Sequence, residues 1–233
     1  ANGRTKSRSI ESILRDILKT VEQGFTRIKL ISEDLGAYGQ DTDTSIVELL
    51  RNILTRDIDF ELYLDNLNPN WLWRYQRELI DLFHAGKVVK KFSIPIQSGS
   101  DRILKLMRRG YTISEVRALL DDLYGALPDV KICTDFIVGF PSETDDDFEA
   151  TQLILNEFPF HFLEIFTYED RSGTRASKLA PKVPEAVKED RRQILFKDFL
   201  KQFLRSNNIR NVEDLRQVME ARKGLFVHFN LSA

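Results

Sequence analysis

The sequence predicts a parallel α/β fold, and three observations carry that prediction. Short β-branched or aromatic runs alternate with amphipathic helical runs from Arg27 to Tyr168. The stretch between one strand and the next is long enough for a crossover helix, whereas antiparallel pairing would need only a tight turn. Polar loops rich in glycine, proline or asparagine follow the strands, at the edge where parallel sheets gather their ligands. An open doubly wound sheet and a barrel both satisfy these observations.

Each element has its own signal. Ile10, Ile13, Leu14, Ile17, Leu18 and Val21 recur at helical spacing, with Ser9 placed to cap the start and Gly24 to end it. Arg27 to Ser32 is a short strand, and Glu33-Asp34-Leu35-Gly36-Ala37-Tyr38-Gly39 is its loop. The unit then repeats. Helical spacing at Ile46, Leu49, Leu50 and Ile53 leads to alternation at Phe60, Leu62 and Leu64, a loop over 65–70, and a helix around Leu79, Ile80 and Phe83. A third strand spans Lys91 to Ile96. Helical runs at Ile103, Leu104 and Met107 and at Val116, Leu119, Leu120 and Leu123 precede a fourth strand, Val130 to Val138; a helix from Asp145 precedes a fifth, Phe162 to Tyr168. Pro184 suits the first turn of a long helix carrying Ile194, Leu195, Phe199, Leu200, Phe203 and Leu204 on one side. Residues 207–233 stand apart as an extension with one more helical piece, Val212 to Met219.

Composition narrows the chemistry. The 233 residues are 42% hydrophobic and 30% charged, a globular balance. Lysine and arginine total 34 against 36 acidic residues, net -2, so any nucleic-acid surface has to be local. Cys133 is the only cysteine, which excludes an intramolecular disulfide and any cluster or zinc site held by several thiolates of this chain. Inside the fourth strand it reads as a small apolar residue. Neither a membrane-length apolar run nor a secretory leader is visible, so a cytoplasmic location is expected. Phosphate loops, dinucleotide fingerprints, nucleophile elbows and H-E-x-x-H are missing, and His84, His161 and His228 are dispersed.

The strand-end loops carry a family likeness. Ile94-Pro95-Ile96-Gln97-Ser98-Gly99-Ser100-Asp101-Arg102-Ile103-Leu104, continuing to Met107-Arg108-Arg109-Gly110-Tyr111, resembles a block of the radical S-adenosylmethionine methylthiotransferases. So do Thr134-Asp135-Phe136-Ile137-Val138-Gly139-Phe140-Pro141-Ser142-Glu143-Thr144 and the stretch from Tyr168 to Thr174. Gly3-Arg4-Thr5-Lys6-Ser7-Arg8-Ser9 is similar to the segment that follows that family's cluster-binding cysteines. The likeness covers roughly residues 3 to 205 and implies a partial (βα) barrel over 1–206, of the radical S-adenosylmethionine type, with a C-terminal helix. Its departures are the missing C-x-x-x-C-x-x-C loop, Ser142 in place of a usual glycine, and Glu169, Asp170 and Ser172 in the last block. Because the match begins just past where the cysteine loop belongs, a core lacking its first strand and cluster loop is expected, inactive by itself.

The resemblance also implies roles. Gln97 and Asp135 would hold the ribose hydroxyls of S-adenosylmethionine, and Arg109 its carboxylate, a charge-assisted pair. The loop of Ser32, Glu33 and Asp34 would receive its amino group, and Gly139 counts among the cofactor-binding positions. No residue is assigned a catalytic or metal-binding role; the [4Fe-4S] cluster of the complete protein would be held outside this chain. The loop from Ser32 to Gly39 looks most like the branch that modifies threonylcarbamoyl-adenosine beside the tRNA anticodon, which makes tRNA the expected partner. Lys87, Lys90, Lys91, Arg102, Lys105, Arg108 and Arg109 suit either an RNA-facing surface or a solvated helical face. The alternatives are another radical enzyme, such as a coproporphyrinogen-oxidase-like protein, and a non-catalytic remnant that binds nucleotide or partner.

Overall fold

The computed structural model describes residues 6–84, 88–214, 217 and 227–230. In chain order its elements are α1 (Ile10–Glu22), β1 (Arg27–Ile31), α2 (Ile46–Leu54), β2 (Glu61–Leu64), α3 (Pro69–His84), β3 (Val88–Ser93), α4 (Asp101–Leu106), α5 (Ile113–Ala126), β4 (Lys131–Val138), α6 (Asp145–Glu157), β5 (Phe162–Thr167), α7 (Glu185–Ser206) and β6 (Val227–Asn230). They fall into two compact units, one of residues 1–94, 121–131 and 224–233, the other of 95–120 and 132–223.

In the first unit β1 runs parallel to β2, Arg27 facing Glu61 and Leu30 facing Leu64, and β2 runs parallel to β3. Alternation drives the packing: Ile28 and Leu30 are fully buried, while Arg27 and Lys29 on the other face are partly exposed. Ile13 and Ile17 of α1 and Leu49 and Leu50 of α2 supply the opposing apolar layer, each such side chain contributing about 1.5–3 kcal/mol when fully buried. Ser9 and Ser45 cap α1 and α2 by accepting from the N–H groups of Ser12 and Glu48. The second unit pairs β4 with β5 in parallel, from Cys133 opposite Phe162 to Val138 opposite Thr167. Its α6 opens with a capping box between Thr144 and Asp147, and α7 packs on α6 and β5. All strand pairings described are parallel, as the alternation of elements requires.

Four expectations shift. The third strand occupies Val88–Ser93 rather than Lys91 to Ile96, because Pro95 has no N–H to continue a ladder. The helix expected around Leu79 starts as early as Pro69, with a kink at Tyr75 (φ -112°, ψ 16°). Pro184 is the N-cap of α7 rather than part of its first turn, and Leu200 on the expected inner side of that helix is 41% exposed. The tail contains β6, which runs parallel to β1 from Ile28 opposite Val227 to Ile31 opposite Asn230. Of the helical piece expected over Val212 to Met219, residues 215, 216, 218 and 219 lie outside the described residues.

Candidate functional site

Past β3 the second unit begins with Pro95 and Ile96, and Gln97 joins the end of β4 by a short parallel bridge. The Gln97 N–H donates to the carbonyl of Asp135 at 2.7 Å, and the Ile137 N–H donates to the carbonyl of Gln97 at 2.9 Å. Gln97 thereby stands in register with Phe136, bonded through its backbone to the two flanking residues, Asp135 and Ile137. Gln97 is 7% exposed and sits at φ 74°, a left-handed conformation that costs a non-glycine residue ~1–3 kcal/mol and tends to persist at functional sites. Tyr111 stabilises the approach, its one hydroxyl proton shared between the carbonyls of Pro95 (3.1 Å) and Ile96 (3.0 Å), and burial pushes its pKa up to about 12. Gly99 then presses against α6: a Cβ there would lie 2.2 Å from the Ala150 carbonyl oxygen.

Arg109 is placed by the end of α4. The N–H of Arg108 returns to Lys105 and that of Arg109 to Leu104, a Schellman turn whose pivot, Arg108, has φ 60°. Arg109 emerges in the wall of an open cleft of about 690 Å³ with Ile137, Phe140, Thr167 and Tyr168. Gln97 and Asp135 do not line this cleft. Gly139 turns the chain after β4 at φ 72°, its N–H donating to Glu143 Oε2 at 2.7 Å. Lys188 of α7 lies against it, with Cγ 2.2 Å from where a Cβ would stand, and donates to the carbonyl of Tyr168 at 2.8 Å.

Ser32, Glu33 and Asp34 belong to the first unit and are held by residues that follow β2 in the chain. Asn66 Nδ2 donates to the carbonyls of Ser32 and Glu33, and Trp71 Nε1 donates to Asp34 Oδ2 at 2.8 Å. The Glu33 side chain is exposed. Among the basic residues singled out in the sequence, Arg102 is committed to Asp147 and Ser142. Lys91 lies 5.1 Å from the centre of the Tyr63 ring, which Lys29 also faces at 5.0 Å. Lys87 and the side chain of Lys90 lie outside the described residues.

Sequence reasoning missed the charged scaffold around the Gly139 turn. Arg191 of α7 donates to Glu143 Oε2 at 2.6 Å, a buried pair joining residues 48 apart, so no local pattern announces it. Burial pushes the Glu143 carboxyl up, while the Gly139 N–H and Arg191 pull it back. For Asp147 burial acts in the same direction, but hydrogen bonds from Arg102, Ser100 and Thr144 outweigh it and hold the carboxyl well below the usual carboxylate range. Ser142, where the family usually has glycine, adopts φ 67°. Its N–H donates to the carbonyl of Pro181 at 2.7 Å and its own carbonyl accepts from Arg102, bonds that offset the strain. Asp170, one of the acidic departures, is absorbed locally by Lys182 at 2.9 Å and the Tyr168 hydroxyl at 3.1 Å.

These residues do not fit an iron-sulfur cluster. Cys133 is buried within β4, and among the described residues no three His, Cys, Asp or Glu side chains are grouped so as to hold a metal ion. Among the described residues, no helix is long and apolar enough to cross a membrane.

Comparison with known proteins places the chain. The family model described as the Radical SAM superfamily matches residues 1–153. The chain is 33% identical over 225 residues to a probable threonylcarbamoyladenosine tRNA methylthiotransferase of Archaeoglobus fulgidus, covering 96% of this chain and 53% of that protein. It is 36% identical over 197 residues to the ribosomal protein uS12 methylthiotransferase RimO of Thermotoga petrophila, covering 83% of this chain and 45% of that protein. The chain thus spans about half the length of the curated relatives it matches. In structure it resembles a radical S-adenosylmethionine methyltransferase, TsrM, from Kitasatospora setae, with TM-score 0.56 at 15% identity over 69% of this chain and 31% of that one. That likeness concerns the fold alone, and it agrees with the family model: the chain belongs to the radical SAM superfamily.

Proposed function

We propose that this chain is the cofactor-binding core of a radical S-adenosylmethionine methylthiotransferase whose substrate is a tRNA adenosine beside the anticodon. The observation that supports the cofactor half is the backbone bridge that ties Gln97 to β4, in register with Phe136 and bonded to the backbone of Asp135. In this reading the Gln97 amide and the Asp135 carboxylate serve the two hydroxyls of a ribose, one able to donate and the other to accept. Arg109 supplies a guanidinium for the cofactor carboxylate, and Gly139, packed against Lys188, shapes the turn that follows β4. When bound, S-adenosylmethionine supplies the radical chemistry for which the superfamily is named. The residues of this chain bind and orient it, and no step is drawn through a cluster that they do not fit.

The tRNA half is supported by the relative matched over 96% of this chain, the probable threonylcarbamoyladenosine tRNA methylthiotransferase of Archaeoglobus fulgidus.

Titration calorimetry of S-adenosylmethionine tests the cofactor half. Gln97→Ala and Asp135→Ala should each weaken binding by ~1–3 kcal/mol, the usual range for a lost hydrogen bond to a charged or buried group. Folded variants that bind as the parent does would defeat the assignment.

A further inference from the structure

The cleft that holds Arg109 carries more positive charge than one cofactor carboxylate explains. Arg108, Arg171, Arg175 and Arg192 also line it, and the single carboxylate among its lining residues is Glu169. Arg192 is occupied, donating to Glu189 at 2.8 and 2.6 Å. Among the described residues, Arg108, Arg171 and Arg175 make no salt bridge, and all three are exposed. In a chain of net charge -2 this is a local concentration, and its self-repulsion is relieved by a bound anion.

The same walls are aromatic. Phe140 and Tyr168 meet edge to face at 5.2 Å, and Phe166 on β5 presents its ring 49% exposed. Guanidinium forks match phosphate oxygens in pairs, and an exposed ring offers a surface on which a base stacks regardless of its identity. Neither feature alone selects a ligand; together they match the alternation of phosphate and base along an unpaired strand. The stretch bearing Arg171 and Arg175 is braced in advance: Thr174 N–H donates to the carbonyl of Arg171 at 3.2 Å, and Lys182 donates to the carbonyls of Ala176 and Ser177. Ordering these arginines on binding therefore loses less entropy than it would on a loose loop.

We propose that this cleft receives single-stranded RNA, with phosphates on Arg171 and Arg175 and a base on Phe166. The proposal rests on the function inferred above and adds the place where the strand lies.

The test is fluorescence anisotropy of a labelled RNA of about ten unpaired nucleotides, within the ~4–16 nucleotide sites known for such surfaces, titrated with the chain between about 50 and 200 mM salt. The Arg171→Ala/Arg175→Ala pair should weaken binding about tenfold at the lower salt and reduce the salt slope by roughly 1.4, from ~0.7 per single-strand phosphate contact. Phe166→Ala should weaken RNA binding about tenfold while leaving competition by inorganic tripolyphosphate unchanged, because a bare anion has no base to stack. Lys19→Ala, an exposed cation on α1, serves as the control and should change neither reading.

An unaltered salt slope in the arginine pair overturns the proposal. So does a Phe166 variant that leaves RNA binding intact or affects RNA and tripolyphosphate alike, which would describe a plain anion site. An acidic peptide that displaces the RNA as well as unlabelled RNA does would point to a protein partner instead. Calorimetry keeps the two readings apart: the arginine pair should bind S-adenosylmethionine as the parent chain does. Loss of cofactor binding in Gln97 and Asp135 variants tests the earlier reading without touching this one.

Discussion

Arg191→Met separates a buried charge from an exposed one within a single side chain. The guanidinium donates to Glu143 at 2.6 Å and to Asp145 at 2.7 Å, and it lies 5.4 Å from the centre of the Phe148 ring. The two carboxylates are far from equal. The Asp145 side chain is 98% exposed, so its pair is screened by water and is worth ~0–1 kcal/mol. The Glu143 side chain is 1% exposed, and removing its partner strands a buried charge at ~3–5 kcal/mol. Methionine keeps contact with Phe148, so the loss is mainly electrostatic. The pH dependence supplies the signature. Burial already raises Glu143, and a raised acid contributes stability that is complete below its unfolded pKa and lost as pH rises through the folded one. Without Arg191 the upward shift grows, so the deficit should be largest near neutrality and should shrink in acid as Glu143 takes up its proton. Urea unfolding should therefore show the variant weaker by about 3–5 kcal/mol at pH 8 and by clearly less near pH 5, each measured against the parent at the same pH. A deficit that is the same at both values, or below about 1 kcal/mol at pH 8, would refute the buried-pair argument.

What could be read in advance, and what could not, divides by the range of the interaction. Caps, turns and alternation act over a few residues, so Ser9 as an N-cap and the strand that starts at Arg27 are visible in the letters themselves. The end of β3 was harder, because Ile94 and Ile96 are buried whether or not they pair, and only Pro95 marks the true limit. The tail strand had no readable cause at all: its place depends on a free edge of β1, nearly 200 positions earlier. The site shows the same division. Motif likeness singled out Gln97, Asp135 and Arg109, but it carries no sign that Gln97 bridges to β4 while Arg109 lines the cleft. Glu143 with Arg191, and Asp147 with Arg102, are pairs across elements, so neither partner is marked by its neighbours in the chain.

Two further outcomes test the scaffold. Asp147→Asn should remove part of the acid sensitivity of unfolding. A depressed carboxyl contributes stability that is present above its unfolded pKa, ~3.9, and lost as pH falls through the folded value, so the parent should weaken below about pH 4 more steeply than the variant; parallel pH profiles would count against this role for the Arg102 and Ser100 bonds. Arg108→Gly tests whether strain is being retained for binding. Arg108 holds φ 60° at the pivot of the Schellman turn, a conformation that costs an L-residue ~1–2 kcal/mol and glycine almost nothing. The greater freedom of glycine in the unfolded chain returns part of that gain, so the variant should be more stable by ~0.5–1 kcal/mol in urea. Its cofactor affinity should be unchanged, because the turn that positions Arg109 depends on backbone bonds from residues 108 and 109 to Lys105 and Leu104, and these survive the substitution. Its RNA affinity should fall, because Arg108 lines the cleft without a carboxylate partner among the described residues. A variant that is destabilised, or that loses S-adenosylmethionine binding along with RNA, would show that the Arg108 side chain supports the turn itself and that the strain has a structural cause.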